Sequence, residues 1–144
     1  MPIDLKVLLV HFSATWLMTG VIWIVQLVHY PLFKFAEKNT YQHFQREHMR
    51  RITWIVMPAM LVELVTGLYL MAWAEMASPL LMLEMVLLFG IWGTTFFIQV
   101  PQHQRLAQEY TSKTHKNLVN YNWLRTFLWS CRALLLSFII FELF

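Results

Sequence analysis

Several polar side chains stand in an apolar part of this chain, and their types are those that bind ligands or move protons. Gln99, His103, Asn122, Arg125 and Arg132 occupy positions where a simple bilayer anchor would carry Leu or Val. Even the lowest insertion scales assign about 2.5–3.5 kcal/mol to an ionisable residue at the centre of a membrane helix, so such residues are usually functional. Histidine can act as a base or a metal ligand, and asparagine and arginine can orient a carbonyl or carboxylate. These residues therefore predict a polar site between helices.

The helices that must position these residues follow from composition. Of the 144 residues, 58% are hydrophobic and only 13% are charged, whereas soluble domains carry roughly 25% charged residues. About 20 consecutive apolar residues cross the hydrocarbon core of a bilayer. Four segments reach that length, at about residues 7–30, 52–74, 79–100 and 118–141. We predict an all-α integral membrane four-helix bundle, antiparallel and up-down, in which residues 1–144 form a single domain.

Polar segments and prolines mark the ends of these spans. Residues 34–51 are the most charged part of the chain and predict a short polar or amphipathic helix at the membrane surface, between the first and second spans. Residues 102–117 predict a polar extension of the third helix outside the membrane. Pro31 predicts the exit of the first helix from the membrane, and Pro101 predicts a kink in the third. The single cysteine, Cys131, excludes a disulfide framework within the chain.

The distribution of Lys and Arg predicts the orientation. The segments that join the first span to the second and the third to the fourth hold eight of these residues, and the opposite side holds only Lys6. Because cytoplasmic loops are enriched in Lys and Arg, we expect both segments in the cytoplasm and both termini outside it, in a bacterial inner membrane. The net charge of +3 then reflects these loops. We expect the lipid bilayer as partner and no nucleic acid.

The cytoplasmic ends of the spans gather the polar residues into one predicted site. Gln26 and His29 lie about one turn apart near the end of the first span, and Gln99 and His103 do the same near the end of the third. A bundle that needed only to stay folded would bury apolar side chains there, because interhelical hydrogen bonds in membranes average merely about 0.6 kcal/mol. The predicted catalytic residues are His29, His103, Asn122 and Arg125, the residues predicted to bind a cofactor or a small apolar ligand are Gln26, His29, Gln99, His103 and Trp129, and Glu63 completes the site.

Two cofactor hypotheses follow from the histidines. Haem b ligated by His29 and His103 is one, because two imidazoles on different helices can serve as axial ligands. A non-haem metal is the other, with ligands drawn from His29, His43, His48, Glu63 and His103. The plainer interpretation of three histidines at helix ends is that they are solvated surface residues, namely His43, His48 and His115.

Depth along the helices predicts ion pairing. With a rise of 1.5 Å per residue, Glu84 and Arg132 both lie roughly 20–24 Å from the cytoplasmic end of the bundle. An unpaired arginine at that depth is costly, so we predict a structural ion pair between these two residues. Glu63 and Arg125 share a shallower depth of roughly 10–16 Å, which permits a second pairing.

Three motifs carry a resemblance to a known group. The third span ends in T-x-x-x-x-Q-V-P-x-H-x-x-L-A from Thr94 to Ala107, the fourth contains N-W-L-R-T-x-x-W-x-x-R from Asn122 to Arg132, and the first ends in QLVHYP. Together they resemble the anthrone-oxygenase-like group of small four-helix bacterial membrane proteins. The resemblance implies the same fold and a site at the end of the bundle. Its better-studied members oxidise polycyclic anthrones with oxygen and without an obvious metal.

Two functional classes remain open at this stage. In the first, the protein is a redox enzyme that acts on a flat apolar molecule of one of three kinds: an aromatic compound, a quinone or a tetrapyrrole. In the second, it is a non-catalytic membrane subunit or small-molecule carrier whose polar residues serve assembly. A homo-oligomer is compatible with either class.

Overall fold

Four long helices account for most of the structure, a computed structural model that describes residues 4–37, 39–73 and 79–143. Helix α1 spans Leu5–Phe35, α2 spans Tyr41–Trp73, α3 spans Pro79–Gln108 and α4 spans Ser112–Phe141. Each is long and apolar enough to cross a membrane, and the described residues contain no β-strand. The predicted all-α membrane bundle is confirmed.

The bundle has an apolar exterior and a polar interior. Large apolar side chains on all four helices are exposed, and those on α2, α3 and α4 with the most exposure include Trp54, Val65, Val86, Phe97 and Leu134, each at least 64% exposed. The fully buried set includes His11, Glu63, Glu84, Asn122 and Arg132, each with 0% exposure. A protein folded in water would reverse this distribution, because charged groups are rarely buried there. The chain is therefore an integral membrane protein whose apolar surface faces lipid.

Helices α1 and α3 each contain one π-helical turn immediately before a proline. These turns cover Val25–His29 in α1 and Thr95–Gln99 in α3, and Pro31 and Pro101 follow each by two residues. A proline lacks the N–H of the helical ladder and crowds the preceding turn, so a wider turn is one way to keep the helix continuous. The helical path continues past Pro31 to Phe35, so Pro31 does not end the helix. The exit of α1 from the membrane near Pro31 stays a prediction.

The polar segments belong to the long helices. The polar segment expected to be helical between the first two spans is helical from Tyr41 onward. It is continuous with the second span, so the expectation of a short helix of its own is wrong. The polar extension of α3 ends at Gln108, and α4 starts at Ser112 with the Thr111 hydroxyl accepting from the backbone N–H of Thr114. This N-cap breaks the continuous extension expected over 102–117. The expected end of the second span at 74 lies outside the described residues.

Two short connections lie together at one end of the bundle, here called the loop end, which carries residues 36–37, 39–40 and 109–111. Gln42 Nε2 donates to the Gln108 carbonyl at 2.5 Å, and the Tyr41 and Tyr110 rings lie 4.5 Å apart between centroids. Within the bundle, α1 packs on α2 and α4, and α3 packs on α4. The last part of α3, Val100–Gln108, closes on α2, whereas its earlier part contacts α2 far less. This leaves a gap between α2 and α3.

Candidate functional site

The first group of polar residues, the loop-end cluster, consists of His29, Tyr30, Gln45, His48 and His103. His103 Nε2 lies 2.7 Å from the Tyr30 hydroxyl, and its Nδ1 lies 2.6 Å from Gln45 Nε2. His29 Nε2 lies 2.9 Å from His48 Nδ1. Just after the π-helical turn, His29 contacts α2, and Tyr30 contacts both α2 and α3. The end of α1 is thus tied to both neighbouring helices.

Aromatic packing fixes the rings of this cluster. The ring centroid of His48 lies 4.7 Å from that of His29 and 5.3 Å from that of His103, and Phe33 packs edge-on against His29 and His48. His48 is only 8% exposed, so its expected place at the solvated surface is wrong. The same holds for His115, also 8% exposed, whose Nε2 bonds to the Tyr30 carbonyl at 2.8 Å.

The residues of the loop-end cluster do not fit a haem or a dedicated metal centre. Both nitrogens of His103 already contact protein groups, and His29 bonds directly to His48 rather than facing His103 across a gap. Within the described ranges, no group of three or more His, Cys, Asp or Glu side chains is arranged to hold a metal ion. His29 Nε2 and both nitrogens of His103 are therefore engaged by protein groups, and the two rings are not arranged as a pair of axial ligands.

Two residues of the predicted metal set lie elsewhere. His43 is exposed on α2. Glu63 lies fifteen residues after His48 on the same helix, which corresponds to about 22 Å along the axis at 1.5 Å per residue. The inclusion of Glu63 in the loop-end site is therefore wrong, and so is its suggested pairing with Arg125, because its carboxylate bonds to Thr15 and Arg132.

A chain of amides leads from α1 to Arg125. Gln26 Nε2 donates to the Val119 carbonyl at 3.2 Å, and Asn122 Nδ2 donates to Gln26 Oε1 at 2.8 Å. Asn122 Oδ1 then accepts from Arg125 Nη1 at 3.3 Å. Arg125 also interacts electrostatically with the Tyr30 hydroxyl. Gln26 and Asn122 thus orient the guanidinium group and do not themselves line the cavity described next.

A cavity of about 250 Å³ lies beside the loop-end cluster, between α2 and the π-helical turn of α3. Thr53 of α2 and Phe96 of α3 line it and are exposed on the lipid-facing surface, so the cavity opens sideways between these helices. Its walls are mainly apolar, with Met18, Ile22, Val25, Met49, Ile52 and Val56 among them. Its buried polar lining comes from Tyr30, Gln99, His103 and Arg125 on three helices.

Several polar atoms at this cavity have no partner among the described residues. Both amide atoms of Gln99 and the Nε of Arg125 are buried and make no hydrogen bond there, and the side chains are only 2% and 6% exposed. A buried polar group without a partner costs about 1–3 kcal/mol. Their position on the wall of an otherwise apolar cavity suits a ligand that accepts hydrogen bonds.

The second group of polar residues, the central cluster, contains His11, Glu63, Thr66, Glu84 and Arg132. Arg132 Nη1 lies 2.9 Å from Glu63 Oε1, its Nε lies 2.7 Å from Glu84 Oε1, and its Nη2 also contacts that oxygen. His11 Nε2 lies 3.1 Å from Glu84 Oε1, and its Nδ1 lies 2.7 Å from Thr66 Oγ1. Arg132 therefore contacts Glu84, as its depth suggested, and Glu63 as well.

Trp129 separates the two clusters. Its ring is fully buried and packs with Met18 and Ile22 in one apolar layer, and the Arg132 guanidinium carbon lies 5.0 Å from its centroid. The ring does not line the cavity, so the expected place of Trp129 in the pocket wall is wrong. It lies behind that wall and covers the central arginine by a cation–π contact.

Sequence reasoning assigned no site role to Tyr30, Gln45, His11 or Thr66. Gln45 precedes His48 by three residues on α2, so helical spacing places both on one face. The sequence marks Tyr30 only as part of a helix end. The π-helical turn that rotates it inward has no clear signal in the sequence. His11 lies on the inward stripe of α1, but its partners come from α2, α3 and α4 and are distant in sequence.

Comparison with protein-family models, with curated proteins and with solved structures gave no significant match. The class of this protein therefore follows from its own fold and surface. It is an integral membrane protein built as a bundle of four helices.

Proposed function

We propose that this protein is a membrane oxidoreductase that binds a flat apolar molecule in the cavity between α2 and α3. The molecule is an aromatic or quinone-type compound with a carbonyl or phenolic oxygen. The loop end lies in the cytoplasm in this proposal, since it carries most Lys and Arg residues, and both termini lie outside, in a bacterial inner membrane.

The unpartnered atoms of Gln99 and Arg125 carry this proposal. Gln99 Nε2 and Arg125 Nε offer two hydrogen-bond donors at the cavity, and Gln99 Oε1 offers one acceptor. The remaining walls offer apolar contacts for a ring system. Ligand pockets are usually apolar with a few convergent polar groups. A volume of about 250 Å³ favours a compact aromatic compound over a tetrapyrrole. The lateral opening suits a molecule that dissolves in the bilayer.

Tyr30 and His103 supply a route for a proton. Both line the cavity, and their hydrogen bond of 2.7 Å lets the hydroxyl and the imidazole exchange a proton as a ligand is oxidised. Arg125 would stabilise negative charge that develops on the ligand oxygen. In this assignment Tyr30, His103 and Arg125 contact the ligand, and Gln26 and Asn122 position Arg125.

The motif resemblance suggests the reaction. In the anthrone-oxygenase-like group, a ring methylene next to aromatic rings becomes a carbonyl, while one molecule of oxygen supplies that oxygen atom and forms one water. Abstraction of a methylene proton would leave an enolate, whose oxygen Arg125 and Gln99 are placed to bind. Such a reaction agrees with a site that has acid–base groups and hydrogen-bond donors.

A non-catalytic carrier is the second candidate. It is favoured by one observation, that His103 already engages both ring nitrogens with Tyr30 and Gln45. A carrier would bind the same molecules at the same donors and return them unchanged.

The experiment compares anthrone with anthracene, the same ring system without oxygen. We expect anthrone to quench tryptophan fluorescence of the protein in lipid nanodiscs at lower concentration than anthracene. In Gln99→Leu, the preference for anthrone should fall about 3–10-fold, the equivalent of one hydrogen bond. Folding should be retained, since the exchange removes two unpaired buried atoms. Phe97→Leu is the control, because Phe97 lies next to the site in sequence and is 85% exposed.

Turnover then separates the two candidates. Consumption of oxygen with formation of anthraquinone supports the oxidoreductase, and binding of unchanged anthrone supports the carrier. Equal binding of anthrone and anthracene, or an unchanged preference in Gln99→Leu, would contradict the site itself.

A further inference from the structure

We propose that the central cluster is a proton-binding site, in which His11 holds a proton in the middle of the membrane-spanning bundle. The cluster draws one residue with a titratable or charged side chain from each helix: His11 from α1, Glu63 from α2, Glu84 from α3 and Arg132 from α4. All four are 0% exposed. The inference does not depend on which ligand the cavity binds.

The direction of one hydrogen bond defines the protonation of His11 Nδ1, the first of the two ring nitrogens. Thr66 Oγ1 lies 2.6 Å from the Val62 carbonyl oxygen, a distance at which two oxygens repel unless a hydrogen lies between them. The single Thr66 hydroxyl hydrogen is therefore donated to Val62. Since Thr66 Oγ1 also lies 2.7 Å from His11 Nδ1, it must accept there, and Nδ1 carries a hydrogen.

The second nitrogen faces a carboxylate oxygen. Glu84 Oε1 accepts from Arg132 Nε at 2.7 Å and also contacts Arg132 Nη2, so this oxygen acts as an acceptor. His11 Nε2 approaches the same oxygen at 3.1 Å. A lone pair on Nε2 would repel it, whereas a hydrogen on Nε2 would complete a charge-assisted bond. With Nδ1 already occupied, His11 is then a doubly protonated imidazolium.

The charge count agrees with this protonation state when both carboxyl groups are ionised. Glu63 Oε1 accepts from the Thr15 hydroxyl at 2.6 Å and from Arg132 Nη1 at 2.9 Å, as an ionised carboxylate does. Two carboxylates and one guanidinium leave one uncompensated negative charge, which is strongly disfavoured away from water. A proton on His11 makes the cluster two positive and two negative.

Other arrangements compete with this one. A proton on Oε2 of Glu63 or Glu84, two buried atoms without a hydrogen-bond partner among the described residues, would also neutralise the cluster. It would leave the Nε2 lone pair of His11 against Glu84 Oε1, which accepts from Arg132. Arg132 Nη2 lies 3.4 Å from His11 Nε2, so a neutral His11 would accept from Arg132 there. That contact is longer than the 3.1 Å approach to Glu84. It would also leave the lone pair of Nε2 against the carboxylate and the cluster with a net negative charge. The geometry around both ring nitrogens favours the protonated state of His11.

The proton also has a structural role in this arrangement. The His11–Glu84 bond is the contact through which the central cluster joins α1 to α3 directly, and it persists only while Nε2 carries a hydrogen. Occupation of this site by a proton thus links the packing of α1 to that of α3.

The test is ¹⁵N NMR of the protein labelled only at histidine, in lipid bilayers at a mildly alkaline pH where free histidine is neutral. His11→Gln assigns the signal. We expect both nitrogens of His11 in the natural sequence to show the shift of protonated imidazole nitrogens. In Glu84→Gln the amide group donates to Nε2 and one negative charge is lost, so His11 should become neutral and lose the imidazolium signal.

A neutral His11 in the natural sequence would overturn the proposal. This holds whether the cluster binds no extra proton or binds it on Glu84. An imidazolium signal that persists in folded Glu84→Gln would contradict the proposed partner. If Glu84→Gln does not fold, the measurement on the natural sequence alone still decides the protonation state of His11.

Discussion

A methyl group added to Gly67 of α2 would lie 3.1 Å from Cε1 of His11 in α1 and 2.6 Å from the sulfur of Met85 in α3. These distances are shorter than ordinary carbon contacts. Gly67→Ala should therefore displace the His11 ring and Met85 together, at about 1–3 kcal/mol, as for other overpacked cores. The thermal midpoint of the purified protein in detergent, followed by size-exclusion chromatography, should fall.

Two other glycines serve as controls for this change. Nothing lies within 4 Å of a methyl group built on Gly20 or Gly93. Since alanine is the better helix former, Gly20→Ala and Gly93→Ala should be neutral or slightly stabilising. A midpoint for Gly67→Ala equal to theirs would show that the His11 ring tolerates the added group.

Removal of the central guanidinium should unfold the bundle. Arg132→Met leaves Glu63 and Glu84 without their shared partner, and breaking a buried ion pair from one side costs about 3–5 kcal/mol. The triple variant Arg132→Met with Glu63→Gln and Glu84→Gln removes the charges together and should recover most of the folded yield. If the triple variant is no more stable than the single one, the cost arises from packing rather than from unpaired charge.

Loss of the Tyr30 hydroxyl should affect turnover more than folding. Tyr30→Phe keeps the ring packed on Phe33 and His103 but removes the group that His103 and Arg125 share. If Tyr30 and His103 transfer a proton, we expect anthrone oxidation to fall about 100-fold or more, with the thermal midpoint changed only slightly. Tyr121→Phe is the matched control, because Tyr121 is 48% exposed and does not line the cavity. Equal rates for the two variants would remove Tyr30 from the reaction.

Entry of the ligand should depend on the gap between α2 and α3. Thr53 lines the outer part of the cavity and is exposed, so Thr53→Trp should narrow the opening and slow association of anthrone by about 10-fold, an order-of-magnitude expectation for a partly blocked route. Stopped-flow quenching measures this rate. Ile55→Trp places the same side chain on an exposed position outside the cavity and should leave the rate unchanged. Slowing by both variants would indicate an effect on the lipid interface instead.

The orientation is tested with reporter fusions. Because the loop end carries most Lys and Arg residues, a periplasmic reporter fused after Phe144 should be active, and the same reporter inserted after Lys113 should be inactive. A cytoplasmic reporter should give the opposite pattern at both positions. An active cytoplasmic reporter at the C-terminus would reverse the orientation and place the cavity near the other side of the membrane.

The sequence by itself determined the class of structure. A bilayer demands about 20 apolar residues per helix, and this requirement is read directly from composition along the chain. The depth of a residue also follows from its position in a span, since each residue rises 1.5 Å. For that reason the contact of Arg132 with Glu84 could be anticipated, and so could the grouping of Gln99, His103 and Arg125 near one end.

Tertiary structure alone decided which polar residues meet. Depth does not specify rotation about the helix axis, and the π-helical turns before Pro31 and Pro101 change that rotation by an amount that local sequence does not reveal. They turn Tyr30 toward His103 and help to form the cavity. Glu63 contacts Arg132 rather than Arg125. Because α2 is one continuous helix, Glu63 lies farther from the loop end than its depth in the predicted spans implied. The hydrogen-bond directions around His11 depend on four helices at once, so only the packed bundle defines its protonation state.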